Sequence, residues 1–196
     1  MDSDGYLSQL ADIFNGITVN TPSISAIIAI VLAGVLLLAS GFASASEIAF
    51  FSLTPSDRND IDEQNHPSDE KISALLGDSE RLLATILITN NFVNVTIIML
   101  CNFFFMNVFV FHSPLAEFLI LTVILTFLLL LFGEIMPKIY SAQKTLAFCR
   151  FSAPGIYFLE KVFRPIATVL VRSTTFLNKH FVKKSHNISV DELSHA

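Results

Sequence analysis

Apolar and polar positions are sorted along this chain into long blocks. No charged residue occurs from Ile13 to Ser46, and none from Leu82 to Ala116. A helix buried in a soluble core seldom needs more than about 14 apolar residues, whereas a bilayer crossing needs about 20. The pattern therefore predicts three membrane spans: Ser23 to Phe51, Leu82 to about Val110, and Leu115 to about Met136. The stretch between the first two is the opposite in character. Residues 52–81 hold eight acids and three bases. They predict a helical hairpin in water, broken near His66-Pro67, with Thr54 or Ser56 capping one helix and Asp78 or Ser79 the next. The fold class expected is all-α integral membrane: three transmembrane helices, a cytosolic helical hairpin and a juxtamembrane helical belt.

The flanks follow the same reasoning. Residues 1–22 are polar, carry Asp2, Asp4 and Asp12, and have room for amphipathic turns. They lack the basic start of a cleavable signal, so the first apolar run is a retained span. Pro22 is placed to open that span. Residues 23–137 then form the three-span core with its hairpin. Residues 138–184 alternate bases with apolar stretches, with interruptions at Pro154-Gly155 and Pro165. They predict belt helices lying at the interface with their lysines and arginines snorkelling. A fourth span there would have to carry Lys161 and Arg164. Residues 185–196 read as a polar tail leading to a further module.

Composition agrees: 53% of residues are hydrophobic, 15% charged, and mean hydropathy is +0.62. The placement of the bases adds orientation. None falls in residues 1–57 or 82–137, three fall in the hairpin, and nine lie at Lys138 and beyond. By the positive-inside rule the N-terminus and the His112 turn lie outside, and the hairpin and C-terminus inside, the plasma (inner) membrane. No basic patch interleaved with aromatics suggests nucleic acid. Cys101 and Cys149 stand apart from any Cys/His cluster and read as packing residues. No Ser/His pair or paired aspartates occur in the spans, so an enzyme is not expected.

Chemistry concentrates where polar groups interrupt the spans. Glu134 follows Gly133 near the end of the third, and Pro137 lacks the N–H that α-helical spacing would direct to the Gly133 carbonyl. Lys138, one turn on, is a competing partner for Glu134. Ser40 and Ser44 share a face of the first span, with Glu47 below them, whose role stays open. Asn90, Asn91 and Asn94 crowd the second. Glu117 sits beside the outer turn and reads as solvated. By depth, the serines, asparagines and Glu134 fall in the same half of the bundle. Hydroxyls, amides, one carboxylate and a carbonyl make an oxygen-only set, which suits Mg²⁺ over zinc or copper. The same residues also serve as interhelical glue in a non-transporting scaffold or regulatory subunit, and that reading remains open.

Three stretches, "SGFASASEIAFFSLTPSD", "LLATILITNNFVN" and "FGEIMPK", resemble in order the signatures of the transmembrane domain of the CNNM/CorC (HlyC/CorC-type) magnesium transporters. A gliding-motility-associated bacterial branch of that family is similar too. The resemblance implies a homodimer in the lipid bilayer and a dehydrated Mg²⁺ in an inward-facing cavity. It also implies Na⁺-linked export. Its ligands would be Ser40, Ser44, Asn90 or Asn91, Asn94, Glu134 and the Gly133 carbonyl. It further implies a cytosolic CBS-type module following the tail and absent from this chain. Ala45 stands where many members have glycine, which adds a methyl group to the packing surface.

Overall fold

The first span begins where its chemistry allows. Ser23 is extended and its hydroxyl accepts from the Ala26 N–H at 3.2 Å, so the helix starts one residue after this cap, with Pro22 outside it. The computed structural model describes residues 18–110 and 113–193, without the side chains of Ala116 and of residues 174–193. The amphipathic turns expected within residues 1–17, and His112 of the expected outer turn, lie outside the described residues. The elements are β1 (Thr18–Val19), α1 (Ile24–Phe51), α2 (Pro55–Asp62), α3 (Asp69–Leu76), α4 (Ser79–Val108), β2 (Phe109–Val110), α5 (Pro114–Leu128), a π-helical segment (Leu129–Ile135), α6 (Met136–Gln143) and α7 (Thr145–Leu193).

Three helical stretches are long and apolar enough to cross a membrane: Ile24–Phe51, Ser79–Val108 and Glu117–Gln143. Their outer faces leave large apolar side chains uncovered, among them Ile24, Leu38, Met99 and Phe127, as lipid contact requires. The third span extends beyond its expected end at Met136. Pro137 stands at the start of α6 and its ring costs the helix one donor, so the helical path continues to Gln143.

The chain divides into two compact units. One is built from Met1–Ser52 with Asn90–Thr145. In it, β1 pairs antiparallel with β2, Thr18 opposite Val110 and Val19 opposite Phe109, and the Asn20 N–H donates to the Val108 carbonyl at 2.7 Å. That backbone ladder ties the entry of α1 to the end of α4. Below it, Ala33, Val93, Ile97, Cys101 and Leu125 form a dry core cluster.

The other unit comprises Leu53–Thr89 with Leu146–Ala196. Here the expected hairpin is present. Thr54 caps α2 reciprocally with Asp57, each donating a backbone N–H to the other's side chain at 2.9 and 3.2 Å. Asp78 accepts from the Arg81 N–H at 3.1 Å at the start of α4. The belt differs from expectation: α7 is one helix running through Pro154 and Pro165. Each proline removes a single donor, by α-helical spacing the one due to the Arg150 or the Lys161 carbonyl, and the helix continues past both. Cys149 is fully buried, and burial first, then the Asp69 charge, pushes its thiol up to about 12.

A buried ion pair staples this unit. Asp69 is wholly enclosed and takes Arg150 Nε at 2.8 Å and Nη2 at 3.0 Å on its two oxygens, while the His66 N–H donates at 3.0 Å. Burial alone would raise the Asp69 carboxyl, but the Arg150 bond and the His66 N–H hold it below the ordinary carboxylate range. Removing one partner of such a pair strands the other charge, so Arg150→Met should cost about 3 kcal/mol in detergent unfolding. A carboxyl depressed in the fold stabilises above its unfolded pKa of about 3.9 and loses that contribution as pH falls. The melting temperature should therefore drop below about pH 5, with a shallower slope in Asp69→Asn, as scanning calorimetry across pH 7 to 3 would show.

Candidate functional site

Small residues bring α1 against the third span. Ser40, Gly41, Ala43, Ser44, Ala45 and Ser46 are all buried, around most of the circumference of α1. A Cβ on Gly41 would lie 2.9 Å from Pro137 Cγ and 3.3 Å from the Phe132 carbonyl oxygen. A Cβ on Gly133 would lie 3.1 Å from Ser40 Oγ. Both positions thus accept a neighbour only because they lack a side chain. The contact continues downward: Ser141 Oγ donates to the Ala45 carbonyl at 2.6 Å, and Lys138 Nζ meets Glu47 Oε2 at 2.9 Å. Lys138 therefore pairs with Glu47, and among the described residues no partner holds the Glu134 carboxylate.

The π-helical segment changes the account of Pro137. Here the Met136 N–H reaches back five residues to the Leu131 carbonyl. In that register the donor missing at Pro137 corresponds to Phe132, not to Gly133 as α-helical spacing predicts. The Phe132 carbonyl faces the open side of Gly41. Gly133 is buried and Glu134, next to it, is half-buried. Nothing in "LLLFGEI" announces this register, whereas a buried glycine against a serine is legible as a close-packing signal.

Around Ser40 the oxygens converge. Its hydroxyl lies 2.9 Å from Asn90 Oδ1 and 2.6 Å from Asn94 Oδ1. Asn90 turns Nδ2 to Ser44 Oγ at 3.1 Å. One hydroxyl has one proton, so Ser40 satisfies one amide oxygen and leaves the other facing it without a donor. A bound cation would supply what the second oxygen lacks. Turning the Asn90 amide over closes the network instead: Ser44 would donate to Asn90, Asn90 to Ser40, and Ser40 to Asn94. Ser40, Ser44, Asn90, Asn94 and Gly133 are thus brought together. Asn91 is exposed on α4, and Glu134 adjoins the cluster through Gly133. Among the described residues, no three His, Cys, Asp or Glu side chains gather as a metal group, so any ion here meets mainly neutral oxygens.

The model of the Cyclin M transmembrane N-terminal domain matches residues 29–196. A UPF0053 protein of Haemophilus influenzae is 31% identical over 134 residues, covering 68% of this chain and 31% of that protein. Another UPF0053 protein, from Synechocystis sp., is 26% identical over 140 residues, covering 71% of this chain and 39% of its own length. The chain spans well under half the length of these curated relatives.

Two glycine substitutions separate packing from the polar cluster. Gly41→Ala drives a methyl into a stiff ring and a backbone oxygen, so it should lower thermal stability by about 1–3 kcal/mol. Gly133→Ala meets only the Ser40 hydroxyl and Leu37, which yield more easily; it should melt nearly as wild type yet displace Ser40 from the asparagines. Melting curves of both, with the Asn90 and Asn94 amide resonances as the second readout, check this pair.

Proposed function

The chain belongs to the CNNM transmembrane-domain family, and from that premise we propose that it binds Mg²⁺ at the Ser40 cluster and translocates it across the bilayer. The observation that carries the reading is the convergence itself: the Asn90 and Asn94 amides of α4 stand 2.9 and 2.6 Å from the Ser40 hydroxyl of α1, with Ser44 Oγ 3.1 Å from the Asn90 amide. Oxygen ligands at such spacing suit a hard cation, and Mg²⁺ accepts carboxylate, amide, hydroxyl and carbonyl oxygens alike. Glu134 brings the one formal charge to the set, with the Gly133 carbonyl beside it. A site with so little charge holds its ion weakly, as release demands. Export coupled to Na⁺, the homodimer, and a CBS-type module following residue 196 belong to this proposal on the strength of the family. So does the orientation with the C-terminus in the cytoplasm of an inner membrane, which rests on the twelve bases.

The closed form of the network favours a second reading, a scaffold in which Ser40, Ser44, Asn90 and Asn94 only join helices. Ligand linkage separates the two. A ligand that binds only the folded state raises stability by RT ln(1 + [L]/Kd), about 2.7 kcal/mol at a hundredfold excess over Kd. Millimolar Mg²⁺ should raise the melting temperature of the wild type and leave Asn94→Ala and Glu134→Gln unmoved. Calorimetric titration should lose its heat in both variants. If wild type and variants respond to Mg²⁺ alike, only the scaffold reading survives.

A further inference from the structure

The first unit contains a cavity that the Ser40 cluster does not use. It has a volume of about 370 Å³ and opens between α4 and α5, on the β1–β2 side of the dry core cluster. Ile98, Asn102 and Met106 line it from α4; Glu117, Thr122 and Thr126 face it from α5. Its polar groups behave differently from others on the same helices. Thr89, Thr96 and Asn107 return their side chains to backbone carbonyls four residues back, at 2.8, 2.8 and 3.0 Å. Among the described residues, the side chains of Asn102, Glu117, Thr122 and Thr126 have no such partner. An amide and hydroxyls left open within an apolar span are costly in lipid unless water or a ligand reaches them.

The charge at this cavity is also uncompensated. No Lys or Arg occurs between Leu82 and Pro137, and the bases of this unit, Lys138 and Lys144, lie at the other end of the third span. Glu117 is half-buried, so a low-dielectric wall backs its charge. Asn102 lies eight residues beyond Asn94 on one continuous helix, about 12 Å along the axis. Between them sit Ile97, Cys101 and Leu125, which also border a smaller apolar cavity of about 210 Å³ beside Leu37. An apolar layer thus separates two oxygen-lined regions.

We propose that the groove headed by Glu117 is a second cation site, a water-filled vestibule in which a hydrated divalent cation waits at the end of the bundle opposite the Ser40 cluster. Its role as one mouth of a transport path rests on the function proposed above; its affinity for cations does not. Asn102, Thr122 and Thr126 contact the hydration shell, and Glu117 supplies the attraction.

Thiol chemistry in lipid nanodiscs tests this. In a Cys101→Ala, Cys149→Ala background, Thr122→Cys places a reporter on the groove, and Thr126→Cys provides a second if the first fails to fold. A cationic trimethylammonium thiosulfonate should modify the reporter about tenfold faster than its anionic sulfonate counterpart. Adding Glu117→Gln should bring the two rates within about twofold, and millimolar Mg²⁺ should slow the cationic reagent only when Glu117 is present. No reaction with either reagent, as for a face covered by lipid or by a second copy, overturns the proposal. So does a charge preference that survives Glu117→Gln. If instead Mg²⁺ gives no heat at the Ser40 cluster while the charge preference persists, the transport reading falls and the vestibule stands.

Discussion

The closeness of α1 to the third span, enforced at Gly41 against the Pro137 ring and at Gly133 against Ser40, is the constraint on which the rest of the first unit depends. Without that approach Ser40 would stand back from the third helix, and the Ser141 bond to the Ala45 carbonyl would lose its geometry. Lipid gives no hydrophobic push to bring helices together, so the contact must come from small residues and interhelical hydrogen bonds. Both are concentrated here. The Glu47–Lys138 pair adds little by itself, since each side chain remains about a third exposed (35% and 33%). It matters more for what it removes: with Lys138 engaged, the Glu134 carboxylate stays available.

The π-helical turn and the proline act together on this contact. A five-residue register inserts one extra residue into a turn and turns the following side chains by a fraction of a circle. Pro137 lies on Gly41 and Gly133 on Ser40, two residues four apart that share the face turned to α1. The π register also directs a carbonyl deprived of its donor toward a glycine, where the absence of a side chain leaves space. A helix that merely broke at Pro137 would have released this segment from α1. The helical path instead carries on to Gln143, and the polar cluster is braced on its lower side.

Much of this was legible in the residues. Uncharged runs located the three spans, and the acid-rich stretch located the hairpin, with Thr54 as one of its two candidate caps. Counting turns along two spans put Ser40 at the depth of Asn90 and Asn94, where the structure brings them together. What could not be read has physical reasons. A π register leaves no compositional trace, because it is a choice of hydrogen-bond partner among equally apolar residues. Lys138 had two carboxylates within reach, Glu134 on its own helix and Glu47 on another, and only tertiary placement decides between them. Pro154 and Pro165 looked like breaks because local rules weigh the missing donor heavily, whereas each ring here removes only one bond from an otherwise continuous helix. Glu117 read as solvated from its place beside a turn, and that it lines one groove with Asn102, Thr122 and Thr126 depends on how α5 leans on α4.

The enclosed cysteine of α7 has a consequence for the chemistry the protein withstands. With its sulfur fully buried and its acidity suppressed to about 12, Cys149 holds almost no thiolate at neutral pH. Thiolate is the form that peroxides and electrophiles attack. Burial and the lack of thiolate together make the one sulfhydryl of the belt helix a poor target for such reagents.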